Sequence, residues 1–140
     1  MDKLFLDANI FFAASCSKTG GSRMLFELAR LNKVRLYSSV YAGKEAQINV
    51  QRKLGTEAFI ECLNLMSLLR KVEKKKISED FGQQYRDVIV AKDLPILFGA
   101  FSQNVDYLVT LDRKDFMTKK VASAGFDFKI VTPGEYLQSL

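Results

Sequence analysis

Residues Ala91 to Phe116 read AKDLPILFGAFSQNVDYLVTLDRKDF. The stretch predicts a helix over Asp93 to Gln103, a turn, a buried strand over Val105 to Thr110, and then a loop dense in charge. Asp93 stands just ahead of Pro95, and proline is favoured in the first turn of a helix. The apolar run of the strand stops at Asp112. A strand that runs straight into a carboxylate directs that carboxylate out of the C-terminal edge of its sheet. In open α/β sheets, ligands bind at that edge.

The N-terminus has the same form. Residues 3–7 make a strand that is apolar at nearly every position and ends at Asp7, with Ala8 and Asn9 following. Such a strand suits a sheet covered on both faces. Ile10 to Ser15 open the crossover, Ser17 to Ser22 form a turn with Ser22 as the expected helix cap, and Met24, Leu25, Leu28, Ala29 and Leu31 recur at helical spacing. Lys33 to Ser38 alternate apolar and polar residues and predict a second strand. Strand, helix and strand in this span make a βαβ unit, whose crossover is right-handed.

Further along, Val40 to Leu54 predict a helix with Glu45 near its start, and Thr56 to Leu68 another, with Thr56 as cap. Leu69 to Glu73 make a short third strand. Lys74-Lys75-Lys76 read either as a solvated basic turn or as a phosphate-contact patch. Ser78 to Val90 predict a helix capped by Ser78, with Glu79 and Asp80 favourably placed in its first turn. Phe126 to Val131 form the last strand, and Pro133 to Leu140 a closing helix. Alternating strands and helices specify an α/β fold with three layers, α/β/α, around a central parallel sheet of four to five strands. With 140 residues and no linker or repeat, residues 1–140 make a single domain.

Composition narrows the chemistry. The chain has no histidine, so histidine bases, Ser-His-Asp and Cys-His nucleophiles and imidazole metal ligands are all excluded. Its two cysteines, Cys16 and Cys62, are expected to be free, buried thiols. No apolar run is long enough to span a bilayer, and Asp7 interrupts what would be a signal-peptide core. The expected location is therefore the cytoplasm, with no membrane partner. A net charge of +5 is compatible with a polyanionic partner.

Parallel strands end at one edge of their sheet. Asp7 follows the first strand, Asp112 lies two residues beyond Thr110, and Glu45 sits near the start of the helix after the second strand. No strand ends directly before Asp93, so topology alone does not bring it there. Carboxylates that converge repel one another, and a divalent cation removes the conflict. Oxygen-only ligands suit Mg2+ or Mn2+, not zinc. Such a centre activates water and stabilises phosphoryl displacement, and a basic protein surface makes a nucleic-acid phosphodiester the natural substrate. Each residue also has an ordinary reading. Asp7 is a turn-former, Asp93 an N-cap, Glu45 a partner for the helix dipole, Asp112 part of a solvated loop, and Asn9 and Thr110 local hydrogen-bonders.

Taken in order, the segments LDANI (6–10), SSVYAGKEAQINV (38–50), KDLPILFGA (92–100), DYLVTLDRKDF (106–116) and KIVTPGEYL (129–137) resemble the motifs of PIN-domain proteins. That nuclease family includes the toxins of many toxin–antitoxin operons, and the resemblance runs nearly end to end. It implies a divalent-metal-dependent endoribonuclease that cuts RNA with Mg2+ or Mn2+. It also implies that Asp93 does reach the cluster. Asp7, Asp93 and Asp112 would then bind metal, with Glu45 binding directly or through water, and Asn9 and Thr110 orienting ligands. Asp112 follows the strand directly and is preferred to Asp115. Glu57 and Glu61 on nearby helices compete with Glu45 for the second position. The implied partners are an RNA substrate, a cognate antitoxin protein and a second copy in a homodimer, with Phe11, Phe12 and the apolar faces of 56–69 as possible contact surfaces beside their use in the core.

Two other readings compete. A catalytically inactive PIN-like module would bind RNA or protein without cutting; the intact set of acids speaks against it. A receiver-like phosphoacceptor would need paired acids after the first strand and a lysine after the last, where this chain has Asp7 alone and Thr132-Pro133.

Overall fold

Alternation along the strands decides the layering, because successive side chains of a strand face opposite sides of its sheet. In a computed structural model describing residues 1–140, Leu4 and Leu6 of β1 (Asp2–Leu6) enter one core and Phe5 enters the other. In β2 (Val34–Ser39), Leu36 joins the first core and Tyr37 the second. In β4 (Tyr107–Val109), Val109 and Leu108 divide the same way. With β3 (Leu69–Glu73) and β5 (Lys129–Val131), these strands form one five-stranded, wholly parallel sheet in the order β3-β2-β1-β4-β5. The fold is a three-layer α/β/α sandwich.

Helices α1 (Ala8–Cys16), α2 (Gly21–Arg30), α3 (Val40–Leu54) and α4 (Thr56–Met66) surround the first core, closed by Tyr136 of α9 (Pro133–Gln138). Helices α5 (Glu79–Tyr85), α6 (Leu94–Ser102), α7 (Arg113–Phe116) and α8 (Lys119–Ser123) contribute to the second. Here aromatic rings dominate. Phe81 packs edge-on against Phe98 with centroids 5.3 Å apart, and Phe126 stacks on Phe128 at 5.0 Å.

β1 pairs with β4, Leu6 opposite Val109, so the two strands that run into aspartates lie side by side. The ladder continues past both strand ends, since the Asp7 N–H donates to the Val109 carbonyl at 3.1 Å and the Thr110 N–H to the Val131 carbonyl at 3.0 Å. Asp7 and Thr110 are thus fixed by the sheet itself. β1 occupies the centre of the sheet, and the strand expected over Val105 to Thr110 is shorter, Tyr107–Val109.

Several local expectations are corrected. Ser22 is buried within the first turn of α2, whose N-cap is Gly20. Thr56 is likewise inside α4, and Gly55 precedes it at φ 93°, a backbone conformation that suits glycine. The helix expected to reach Val90 stops at Tyr85, although Ser78 caps it as expected, accepting from the Phe81 N–H at 3.2 Å. Cys16 is exposed, not buried, while Cys62 is in the core. The loop expected after Asp112 instead holds α7 and α8.

Helix α6 crosses the sheet closely at Gly99. A Cβ there would lie 2.7 Å from both Cε2 and Cζ of Phe5, whose ring is fully buried. Gly→Ala in an ordinary helix gains about 1 kcal/mol. At this position overpacking wins, and Gly99→Ala should destabilise the protein by about 1–3 kcal/mol. A urea midpoint at or above that of the wild type would show that the Phe5 ring yields freely.

Candidate acidic metal centre

The C-terminal edge of the sheet opens into a cavity of about 240 Å³ lined by Asp7, Asn9, Glu45, Asp93 and Asp112, with Lys53 and Lys92 at its walls. Four separate elements deliver the acids. Asp7 is the residue between β1 and α1, Glu45 lies on the second turn of α3, Asp93 ends a 3-10 turn (Ala91–Asp93) leading into α6, and Asp112 caps α7. The rival acids lie elsewhere. Glu61 is engaged by Arg23 at 2.7 Å, and Glu57 is exposed on α4.

Asp7 is buried and held on both oxygens. Oδ1 accepts from the Ala8 N–H at 2.7 Å; Oδ2 accepts from the Thr110 hydroxyl at 2.8 Å and from the Asn9 amide at 3.4 Å. Asn9 also donates to Thr110 Oγ1 at 3.3 Å, and its own carbonyl accepts from the Leu111 N–H at 3.1 Å. The Asp112 N–H donates to the same Thr110 hydroxyl oxygen at 3.1 Å. Asn9 and Thr110 therefore stitch the ends of β1 and β4 together and fix the spacing of Asp7 and Asp112.

Asp93 has the position of an N-cap for α6 but caps nothing with its side chain. The ordinary reading of this residue fails there, and Oδ2 is buried with no hydrogen-bond partner. Its neighbours are acids. Asp93, Asp112 and Asp115 each present an oxygen, and the three oxygens lie within 4.8 Å of one another. The sequence favours Asp112 over Asp115 because Asp112 directly follows the strand; the structure brings both to the cluster. In the fold Asp115 lies one turn beyond Asp112, on α7, where its N–H donates to Asp112 Oδ1 at 3.0 Å. The signal available was the spacing of three, which puts both acids on one helical face. Lys92 approaches Asp115 at 4.0 Å, and its carbonyl accepts from the Tyr41 hydroxyl at 2.8 Å.

This crowding raises proton affinity. Burial pushes the Asp7 carboxyl up to about 6, and the charges of Glu45 and Asp112 add to the rise against the pull of the Thr110 and Ala8 hydrogen bonds. Asp93 is held well above the usual carboxylate range, first by burial, then by the close approach of the Asp115 carboxyl and by the charge of Asp7, with Lys92 opposing. Burial also raises the Tyr41 hydroxyl, with Glu45 and Asp93 contributing.

The donor set fits a hard divalent cation. All its atoms are oxygens, one of them orphaned and buried, and an Mg2+ octahedron measures about 4.2 Å between opposite ligands. Asp93, Asp112 and Asp115 would need only slight closure to hold the ion, and Asp7 and Glu45, outside that trio, share the cavity with Asp93 and Asp112 for direct or water-mediated contact.

No family profile matches the sequence, and no curated protein matches it. Solved structures do. The structure of VapBC2 from Rickettsia felis, bound to a DNA fragment from its promoter, aligns over 93% of this chain and 98% of its own, with TM-score 0.63 and 20% identity. VapC20 of Mycobacterium tuberculosis, described as a toxin cleaving the sarcin-ricin loop, aligns over 88% of this chain and 95% of its own, with TM-score 0.57 and 14% identity. PAE2754 of Pyrobaculum aerophilum aligns over 99% of this chain and 94% of its own, with TM-score 0.61 and 12% identity. At these identities the likeness concerns architecture alone, and the architecture is plain: this chain has the PIN-domain fold of the VapC toxins.

Proposed function

We infer that the protein is a divalent-metal-dependent endoribonuclease and the toxin of a toxin–antitoxin pair. The observation that carries this reading is the gathering of acids from four separate elements around one cavity, with Asp93 Oδ2 left without a protein partner. Asp93, Asp112 and Asp7 are the proposed metal ligands, as the sequence suggested, with Glu45 beside them and Asp115 added. When bound, Mg2+ or Mn2+ would supply a water of lowered pKa and positive charge toward the phosphoryl oxygens. The chain's own part is to hold the acids at fixed spacing through Thr110 and Asn9 and to offer Glu45 to accept a proton from the attacking water. Lys53 and Lys92 at the cavity wall would draw the phosphodiester in. The fold shared with two Vap-system structures, one of them a toxin named for cutting an RNA loop, supports the same reading.

The partner surface is expected on α3 and α4, where Ile48, Ile60 and Leu63 stay exposed. Phe11, by contrast, is wholly buried, and Phe12 packs against the core with Lys53 Nζ 5.8 Å from its ring centroid. An antitoxin, or a second copy of the chain, would cover those three aliphatic side chains. No helix is long and apolar enough to cross a membrane, and a cytoplasmic site of action accords with an RNA target.

Purified protein should cleave mixed RNA in the presence of Mn2+ or Mg2+ and not in EDTA, while Asp7→Asn should not cleave under either condition. Equal RNA loss with both proteins would trace the activity to a contaminant. Metal binding with no cleavage would leave a binding module.

A further inference from the structure

Beside the acidic cavity lies a second one, about 360 Å³, around which Lys44, Lys74, Lys75 and Lys76 gather. The two are contiguous in the chain. Lys44 faces the second cavity and Glu45 the first; Pro95 lines the second and Asp93 the first. None of the four lysines makes an ion pair. The one carboxylate among them, Glu73, is committed to structure. It is buried at the end of β3, where Oε1 accepts from the Lys75 N–H at 3.0 Å and Oε2 from the Ser102 hydroxyl at 3.1 Å. Those bonds hold its carboxyl below the usual range. Glu73 thereby anchors the turn that presents Lys74, Lys75 and Lys76, all three exposed. The groove also has apolar and aromatic walls. Phe98 is nearly buried, whereas Tyr41 is 44% exposed with its ring pinned by the bond from its hydroxyl to the Lys92 carbonyl.

Unpaired cations around a trough, with an accessible aromatic ring held at the end nearest the acids, are the ingredients of single-strand recognition. Lysines track the backbone and an aromatic face stacks on a base without demanding a sequence. We propose that this lysine groove holds single-stranded RNA on one side of the cut. Lys44 and Lys74–Lys76 take successive phosphates, and the Tyr41 ring stacks on the base that leads into the acidic cavity. The assignment rests on the nuclease reading for the identity of the strand. It adds where the uncut part lies and why affinity should depend on salt.

The test measures binding, so it is independent of cleavage. In the full chain carrying Asp7→Asn, in EDTA, a short labelled single-stranded RNA of mixed sequence is titrated at several salt concentrations by fluorescence anisotropy. Lys74→Ala/Lys75→Ala/Lys76→Ala should flatten the slope of log affinity against log salt by about 2, since each phosphate contact on a single strand contributes about 0.7. Affinity at moderate salt should fall at least about tenfold with it. The substitutions spare the Lys75 N–H, so the Glu73 anchor stays in place, and an unchanged melting temperature verifies that. The control, Lys33→Gln/Arg35→Gln/Arg70→Gln, removes the same charge at the opposite edge of the sheet and should leave the slope unchanged.

Equal slopes for the lysine variant and its parent would overturn the groove while leaving nuclease activity in the wild type untouched. So would equal losses in both triple variants, which would mark a net-charge effect. Labelled polyglutamate titrated in the same way is the second probe, and its loss of binding to the lysine variant with RNA binding retained would also overturn the proposal and give the groove to an acidic polypeptide. Lysine-dependent RNA binding in a wild type that cuts nothing would keep the groove and sink the nuclease.

Discussion

Asp112→Asn should lower metal-dependent RNA cleavage by about 10³-fold or more and leave the metal-free fold intact. The magnitude follows from losing one ligand of an ion that supplies several kcal/mol of transition-state stabilisation, at about 1.4 kcal/mol per tenfold. Stability is spared because the structural duty of Asp112 is narrow. Oδ1 accepts the Asp115 N–H that starts α7, and the carbonyl of asparagine accepts it equally. The charge on Asp112 also works against its neighbours, being one of the causes that raise Asp7. The measurement is single-turnover cleavage alongside thermal melts in EDTA. A large fall in melting temperature without metal would instead mark Asp112 as a structural cap whose loss disturbs the whole edge.

The second large effect is on stability against pH in the absence of metal. Asp7 has a folded pKa of about 6 against an ordinary value of 3.8. Between those values the native state holds a proton that the unfolded chain has released, so stability falls as pH rises through that window. Well below pH 3.8 both states are protonated and nothing is lost; above the folded pKa the full cost is present. For this buried group the cost is about 3 kcal/mol, from a shift of roughly two pKa units at 1.36 kcal/mol each. Asp93, also raised, adds in the same direction. Asp7→Asn cannot ionise. Chemical denaturation in EDTA should show the variant gaining on the wild type by about 3 kcal/mol between pH 4 and pH 8. Glu73 and Glu135 are shifted downward, but they titrate in both proteins and cancel. A constant difference across that range would mean that Asp7 is not strained by ionisation. Mn2+ at about 100 times its Kd should then restore some 2.7 kcal/mol to the wild type at pH 8 and little to the variant.

Most of the architecture was legible because the strands carry their own signal. The inward residues of β1, β2 and β4 alternate between two cores, and a run such as Lys3–Leu6 ending in Asp7 has few other uses. The limits of α3 and β3 matched the reading from residues, since Ser39 and Gly55 bound one and Glu73 ends the other. What failed was short or depended on tertiary contact. Helix α7 has four residues, too few for any periodicity to register. Ser22 and Thr56 look like caps, but glycine stands before each and the cap falls on a glycine, two residues before Ser22 and one before Thr56. Asp93 could not be placed from topology, because only the 3-10 turn at Ala91–Asp93 swings it to the sheet edge. Asp115 was weighed only as a rival to Asp112, because without α7 nothing in the sequence showed that both acids could serve together. The role of Glu73 was likewise hidden, because its partner Ser102 is remote in sequence.

The claim on which these predictions depend is that Asp7, Asp93 and Asp112, with Asp115, surround a divalent ion. An anomalous difference map from crystals grown with Mn2+ tests it most directly. A peak among the carboxylates of Asp93, Asp112 and Asp115, on the side facing Asp7 and Glu45, is the expected result. A map with no peak in that cavity at saturating Mn2+, or with the ion bound only on another surface, would contradict it.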